Sequence, residues 1–444
     1  MKFRNTLLLL LFTAAVGAYV YFYEIKGGEK RDKEKETAGK LIDIKKDSIT
    51  AITIRPDGVE LKKVGATWEL TAPVQYQADD GTVSTLLSSL ESAQRDQKEI
   101  ATSRSDHAGF GLDPARTELI VRHEKGEQDT LYLGDGNVTA TMVYARVNHN
   151  PEVVLTSNGL SNNAKKTLLD WRNKDLLVFD NGVVNRLLLT TPKNRFELKK
   201  ENGKWQMLAP IKASADESKI SSLLSRVRYG RINEFTTEQM DEAKKYGLDK
   251  PSYEFTVFFG ANDAQKALSF GKKEGANYYA HDPARPQVFK VDTSLVKDLN
   301  VSLMDLRNKK LAEFESWNAD YVSLNYADTL KIVCEKDTSG NWQIKAPQEQ
   351  KAKSWEVSNI TGGLSGMEAA AFVDENAVDL KKYGLDKPRL IVTIKQKGSE
   401  VSKVLIGKEK GDRVFAKAAN GSVVVEVKKD DADKIFKKLT DLAE

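Results

Sequence analysis

The sequence predicts an α+β protein: an N-terminal transmembrane helix, then three tandem repeats of one α+β unit built on mainly antiparallel sheet. Three observations carry this prediction. Thr6–Tyr23 is an uncharged, largely apolar run. Trp68, Trp205 and Trp342 recur at intervals of 137 residues, so a domain-sized unit is copied. Within each copy, short alternating apolar runs follow one another without the long helical crossovers that parallel strands require.

The first element is the uncharged run, TLLLLLFTAAVGAYVYFY, behind a short head carrying Lys2 and Arg4. As a helix it spans about 27 Å, close to the ~30 Å hydrocarbon core of a bilayer. A cleavable signal peptide would be cut near Val16-Gly17-Ala18 and would leave Tyr19–Tyr23 as an exposed aromatic terminus. An uncleaved anchor uses those rings as its interfacial belt, so residues 1–23 read as an anchor. Residues 24–43 read as a charged, glycine-containing tether. Six Lys or Arg follow the span between Lys26 and Lys40, against two before it, which by the positive-inside count favours a cytoplasmic body. Large C-terminal domains translocate regardless of such counts, and the basic head resembles an export signal. The expectation is a single-pass protein of a bacterial inner membrane, its bulk facing the periplasm or cell exterior.

The remaining anchors of the repeat give units 44–179, 180–314 and 315–444. Pro73, Pro210 and Pro347 keep the tryptophan period inside WELTAP, WQMLAP and WQIKAP. Gly-Leu-Asp begins at Gly111, Gly247 and Gly384, and LGD, FGK and IGK follow with Gly134, Gly271 and Gly407. Each unit opens with a strand (AITIRP, RLLLTTP, YVSLNYA) and a hairpin ending at the tryptophan, which reads as a core residue. A helix follows the Ala-Pro break, with Val83, Leu86, Leu87 and Leu90 on one face, or Ile220, Leu223, Leu224 and Val227. Asp79 or Asp80, and Ser214 or Asp216, are its N-cap candidates. A short second helix leads into Gly-Leu-Asp, alternating strands follow, and a helix such as Asp430–Leu442 closes the unit.

The octapeptide KKYGLDKP stands at Lys244–Pro251 and again at Lys381–Pro388. It reads as a helix stop. Gly247 and Gly384 supply a left-handed C-cap, the lysines complement the helix dipole, and Asp249, Pro251, Asp386 and Pro388 turn the chain into the next strand. Gly111, Asp113 and Pro114 keep the turn in the first copy without the lysine pair, which argues against an anion grip. DWRNKDLLVF and DLRNKKLAEF end the first two copies, and the third has DLAE at the corresponding place. Arg172, Asn173 and Lys174, and Arg307, Asn308 and Lys309, are therefore read as inter-unit joints, with the arginines bonding neighbouring carboxylates or carbonyls.

The 68 Lys and Arg nearly balance the 64 Asp and Glu and are interleaved with them, so no nucleic-acid face is expected. Cys334, the one cysteine, excludes an intramolecular disulfide, a CxxC pair and a thiolate zinc cluster. The histidines His107, His123, His149 and His281 show no metal-ligand spacing, and no phosphate loop, dinucleotide fingerprint or nucleophile elbow is present. No catalytic residue, metal or cofactor is assigned. Trp317 and Trp355 have no counterparts in the other copies and are candidates for exposed contacts.

The WxLxAP turns at Trp68, Trp205 and Trp342, the [FY]GLDxP turns, the LxLG hairpins and the DLRNK joints resemble the bacterial family known as domain of unknown function 4340, from about Ile44 onward. Such proteins look associated with ABC-type transport systems related to those of gliding motility. The resemblance implies an envelope-facing accessory protein, with an ABC permease as a protein partner and residues 6–23 in the membrane. The reading is a non-catalytic accessory or scaffold. A protein binding lipid or glycan in grooves between units is the alternative, and a hydrolase with a site in one unit is the lesser one.

Overall fold

The computed structural model describes residues 12–14, 16–26, 39–96, 104–260, 262–327 and 330–444. In the first repeat, β1 (Ile49–Arg55), β2 (Val59–Val64), β3 (Thr67–Ala72) and β4 (Tyr76–Gln77) form one meander. A second contains β5 (Thr117–His123), β6 (Gln128–Gly136), β7 (Met142–Val147) and β8 (Val154–Ser157). The meanders join through β1 and β5, so the sheet runs β4-β3-β2-β1-β5-β6-β7-β8, every neighbour antiparallel. Alternate residues of these strands, among them Ile52, Leu61, Leu70, Leu119 and Leu131, are buried on one core. Helix α1 (Asp80–Glu91) adds Val83, Leu86, Leu87 and Leu90 to that core, as its apolar period requires. Two short helices, α2 (Asn158–Ala164) and α3 (Leu168–Trp171), close the repeat.

The second repeat repeats this plan. It contains β9 (Val184–Thr190), β10 (Arg195–Glu201), β11 (Lys204–Ala209), β12 (Ala213–Ser214), α4 (Glu217–Arg228), β13 (Glu234–Thr237) and α5 (Ala243–Tyr246). Then come β14 (Tyr253–Phe259), β15 (Ala264–Glu274), β16 (Asn277–His281), β17 (Val288–Asp292), α6 (Thr293–Leu299) and α7 (Leu303–Leu306). Its strands run β12-β11-β10-β9-β14-β15-β16-β17.

In the third repeat, β18 (Tyr321–Tyr326), β19 (Lys331–Lys336), β20 (Trp342–Ala346), β21 (Gln350–Lys351), α8 (Ser354–Ser365) and β22 (Ala371–Asp374) come first. They precede β23 (Leu390–Gln396), β24 (Ser399–Lys410), β25 (Arg413–Ala418), β26 (Val424–Lys428), α9 (Lys429–Asp433) and α10 (Leu439–Leu442). The order β21-β20-β19-β18-β23-β24-β25-β26-β22 places β22 on the far edge. The chain packs as two compact units. One runs up to Leu176 and includes Arg231–Glu238; the other contains Leu177–Gly230 and Gln239–Glu444.

Trp68, Trp205 and Trp342 are buried in their repeats. Each anchors the following helix by the same device: its backbone N–H donates to the first helical residue, Asp80, Glu217 or Ser354. The N-caps of the first two long helices are Asp79 and Asp216, each accepting at 2.8 Å from the N–H three residues on. In the third copy Lys353 stands at the cap and its side chain makes no capping bond.

One expected element is corrected. The closing helix over Asp430–Leu442 is two short helices, α9 and α10. The carboxylate of Asp441 takes the N–H of Lys438 at 2.8 Å and starts a new helical turn there, as Asp170 and Asp305 do for Thr167 and Ser302. Ile435 and Leu442 still reach the core.

Among the described residues no helix is long and apolar enough to cross a membrane. Of the expected anchor Thr6–Tyr23, residues 6–11 and 15 lie outside the described residues, as do 27–38 of the tether. Residues 12–14 and 16–26 are helical, with Val20–Lys26 wound as a π-helix. Phe12, Tyr19, Phe22 and Tyr23 are exposed there.

Candidate functional site

The repeated turns seat each helix stop on the hairpin that follows it. Gly111, Gly247 and Gly384 have φ of 66°, 70° and 67°, the left-handed region in which a side chain is strained. Their partner glycines answer a different need. A Cβ at Gly134, Gly271 or Gly407 would lie 2.1, 2.2 or 2.3 Å from the carbonyl oxygen of Phe110, Tyr246 or Tyr383. The helix stop thus rests its last carbonyl directly on the following hairpin, and only a residue without a side chain fits beneath it. Leu112 and Leu385 are buried next to these turns. Asp113, Asp249 and Asp386 are exposed, as is Pro114, while Pro251 and Pro388 are half-buried.

The RNK strings perform two tasks in succession. On the outgoing side, Asn173 N–H donates to the carbonyl of Gln77 and Asn308 N–H to that of Ser214, which ties each string to the short fourth strand of its own repeat. In the third repeat Ala352 and Ala443 form the equivalent bridge. On the leading side, the Lys174 carbonyl accepts from Ile232 N–H and the Lys309 carbonyl from Ala369 N–H. Gly39 and Arg95 make this bond for the first repeat. Asn173 and Asn308 fold the string by accepting from the N–H two residues on, at 2.7 and 3.0 Å. Lys174 Nζ donates to the carbonyls of Leu169 and Asp170, both at 3.2 Å, as a cation at a helix C-terminus does.

Arg172 is 2% exposed and donates to both carboxylate oxygens of Glu238, at 2.6 and 3.0 Å. Its guanidinium stands 3.5 Å from the centre of the Phe235 ring and 4.4 Å from that of Tyr76. Arg307 repeats the pattern with Glu375, at 2.5 and 2.7 Å, over Phe372 at 3.4 Å. A signal for these partners is present in the sequence. Phe235-x-x-Glu238 and Phe372-x-x-Glu375 keep the 137-residue period, and the first copy has Lys98 and Ala101 in those places. FxxE occurs where an RNK precedes it.

Two clefts lie on equivalent faces. One, of about 880 Å3, belongs to the second compact unit and is walled by the second repeat (Lys204, Gln206) and the third (Trp317, Glu368, Gln396). The other, of about 790 Å3, is lined by Asp47, Ser48, Glu91 and Gln94 of the first repeat. Asp47, Glu91 and Gln94 are the counterparts of Trp317, Ser365 and Glu368. The same face of the fold therefore carries different chemistry in different copies.

Beside the first-repeat cleft, Ser48 Oγ lies 3.2 Å from His123 Nδ1, and His123 Nε2 lies 2.9 Å from Asp129 Oδ2. Val183, Phe259 and Lys266 replace them in the second copy, at the matching registers. The composition is that of a serine hydrolase triad, and the three side chains come from the turn before β1, from β5 and from β6. Ser48 Oγ also donates to the carbonyl of Lys45 at 2.7 Å. Nearby N–H groups are committed: Lys46 to Glu91, Ser48 to Lys45 and Ile49 to Lys46. Asp129 is held in turn by Asn148 Nδ2 at 2.8 Å. Among the described residues no group of three His, Cys, Asp or Glu could hold a metal ion.

Cys334 is buried, and burial pushes its thiol up to about 11. In the larger cleft, the Lys204 ammonium, 2.8 Å away, holds the Glu313 carboxyl below its usual range.

No curated protein and no solved structure matches the chain. A family described as Domain of unknown function (DUF4340) matches it three times, over residues 68–239, 205–359 and 342–444. Each match begins at one of the buried hairpin tryptophans and takes in a Gly-Leu-Asp turn with its glycine pair, and the first two also take in an RNK joint. The chain belongs to the DUF4340 family, whose domain it carries in tandem copies.

Proposed function

We propose that the protein is a membrane-anchored, extracytoplasmic scaffold, a non-catalytic accessory of an ABC-type transport or envelope system. The observation that supports this reading most is the use made of the repeated residues. The glycine pairs, buried tryptophans and arginine joints all serve to build and link units. Repetition of linked units yields reach and surface rather than a reaction centre. The exposed aromatic side chains at Tyr19, Phe22 and Tyr23 suit an interfacial belt.

The test is purification of the full-length protein from its native membrane in mild detergent, with identification of what accompanies it. Co-purifying permease and ATPase subunits are the expected result. If they are lost when residues 1–23 are exchanged for an unrelated anchor, the contact is through the span; otherwise it lies on the repeats. Recovery of the protein alone would overturn the accessory reading.

A second reading, ligand binding, is favoured by the cleft between the second and third repeats. Its lining is polar, which suits a glycan better than an acyl chain.

A further inference from the structure

The three copies act as internal controls for one another. A residue the fold requires recurs, and a costly residue that does not recur asks for another explanation. Trp68, Trp171, Trp205 and Trp342 are all at most 6% exposed, whereas Trp317 is 71% exposed. Its counterparts are Asp47 and Gly182, so the position does not call for an aromatic ring. An indole left in water forgoes the burial that makes tryptophan useful to a fold. This one stands in the wall of the 880 Å3 cleft, a size within the roughly 300–1,000 Å3 of small-molecule sites.

The rest of the lining narrows the ligand. Gln206, Ser218, Lys310 and Glu368 line the cleft, and no hydrogen bond from their side chains is formed among the described residues. Donors and acceptors thus stand ready on the second-repeat wall and an acceptor on the third-repeat wall. Five carboxylates face three lysines in the lining, and Lys204 is already tied to Glu313 at 2.8 Å. That balance repels polyanions such as nucleic acid or a phosphate-rich polymer. Apolar side chains are few, and Trp205 among them is buried, so an acyl chain would find little cover.

We infer that this cleft binds a short, uncharged oligosaccharide, with the Trp317 ring as the platform for a sugar face and the free polar groups of both repeats bonding its hydroxyls. The inference rests on the ligand-binding reading and is independent of any transporter contact.

Titration calorimetry of the full-length protein with chitotetraose and with cellotetraose tests it, with a sulfated oligosaccharide as the anionic comparison. The expected result is saturable binding of at least one neutral sugar, weakened about tenfold or more by Trp317→Ala and largely retained by Trp317→Tyr. Trp355→Ala, which removes the other exposed tryptophan, should leave affinity unchanged. Absence of binding by both neutral sugars, equal binding by the Trp317→Ala variant, or preference for the sulfated sugar would each overturn the inference. Co-purification of transporter subunits would be unaffected by any of these results, so the two readings fail separately.

Discussion

Replacing Glu238 by Gln should destabilise the first joint more than replacing Arg172 by Met, although the two residues form one ion pair. The asymmetry follows from burial. The Arg172 side chain is 2% exposed and that of Glu238 is 41% exposed. Glu238→Gln leaves a desolvated guanidinium without its counter-charge, and stranding one member of a buried pair costs about 3–5 kcal/mol. Water reaches the Glu238 end, so the lower figure, about 3 kcal/mol, is expected. Arg172→Met removes the buried charge and keeps an apolar stem against Tyr76 and Phe235, while Glu238 rehydrates in place. That variant loses two charge-assisted hydrogen bonds and a cation–π contact but strands nothing, and about 1–2 kcal/mol is expected. In the double variant the added cost of Glu238→Gln should vanish, giving a coupling of about 3 kcal/mol. Hydrogen exchange of the full-length protein is the suitable assay, because several units make a single unfolding midpoint ill-defined. The amides to follow are Asn173, bonded to Gln77, and Ile232, bonded to Lys174. Equal effects of the two single variants, or strict additivity in the double, would refute the reasoning.

Other expectations concern the turns, the thiol and the serine. Gly271→Ala drives a Cβ to 2.2 Å from the Tyr246 carbonyl oxygen and should cost about 3 kcal/mol or more. Gly247→Ala meets left-handed strain, the Lys272 side chain and, at 3.0 Å, the Lys272 backbone nitrogen, for about 2 kcal/mol; local exchange rates that reverse this order would contradict the account. Native Cys334 should resist maleimide at pH 8 and react fully in denaturant. Because its folded pKa of about 11 lies above the unfolded value near 9.0, the unfolded chain ionises first as pH rises. Stability should be intact below pH 9 and fall between 9 and 11 by about 2–3 kcal/mol, a fall absent in Cys334→Ala; an identical alkaline profile in that variant would contradict the assignment. Ser48 should not be labelled by a fluorophosphonate. Labelling that disappears in Ser48→Ala would restore the hydrolase reading.

Local chemistry was legible in the sequence because it was written repeatedly. A left-handed glycine after a short helix, an aspartate before a long one and an alternating strand are decided by a few neighbouring residues. The 137-residue period then showed which of them mattered to the fold. The recurring RNK string marked Arg172 and Arg307 as joints, but their partners Glu238 and Glu375 lie 66 and 68 residues away. Pairing them requires knowing that β13 and β22 return to the joint. Gly134, Gly271 and Gly407 were visible as a repeat, yet the reason for them is a carbonyl brought in from the preceding helix. The Ser48–His123–Asp129 cluster and the Trp317 ring left no period, since other residues stand at their places in the other copies. Adjacent residues set the turns and helix stops; chain segments far apart in sequence set the ion-pair partners, the buried carbonyl contacts and the clefts, because only folding fixes those distances.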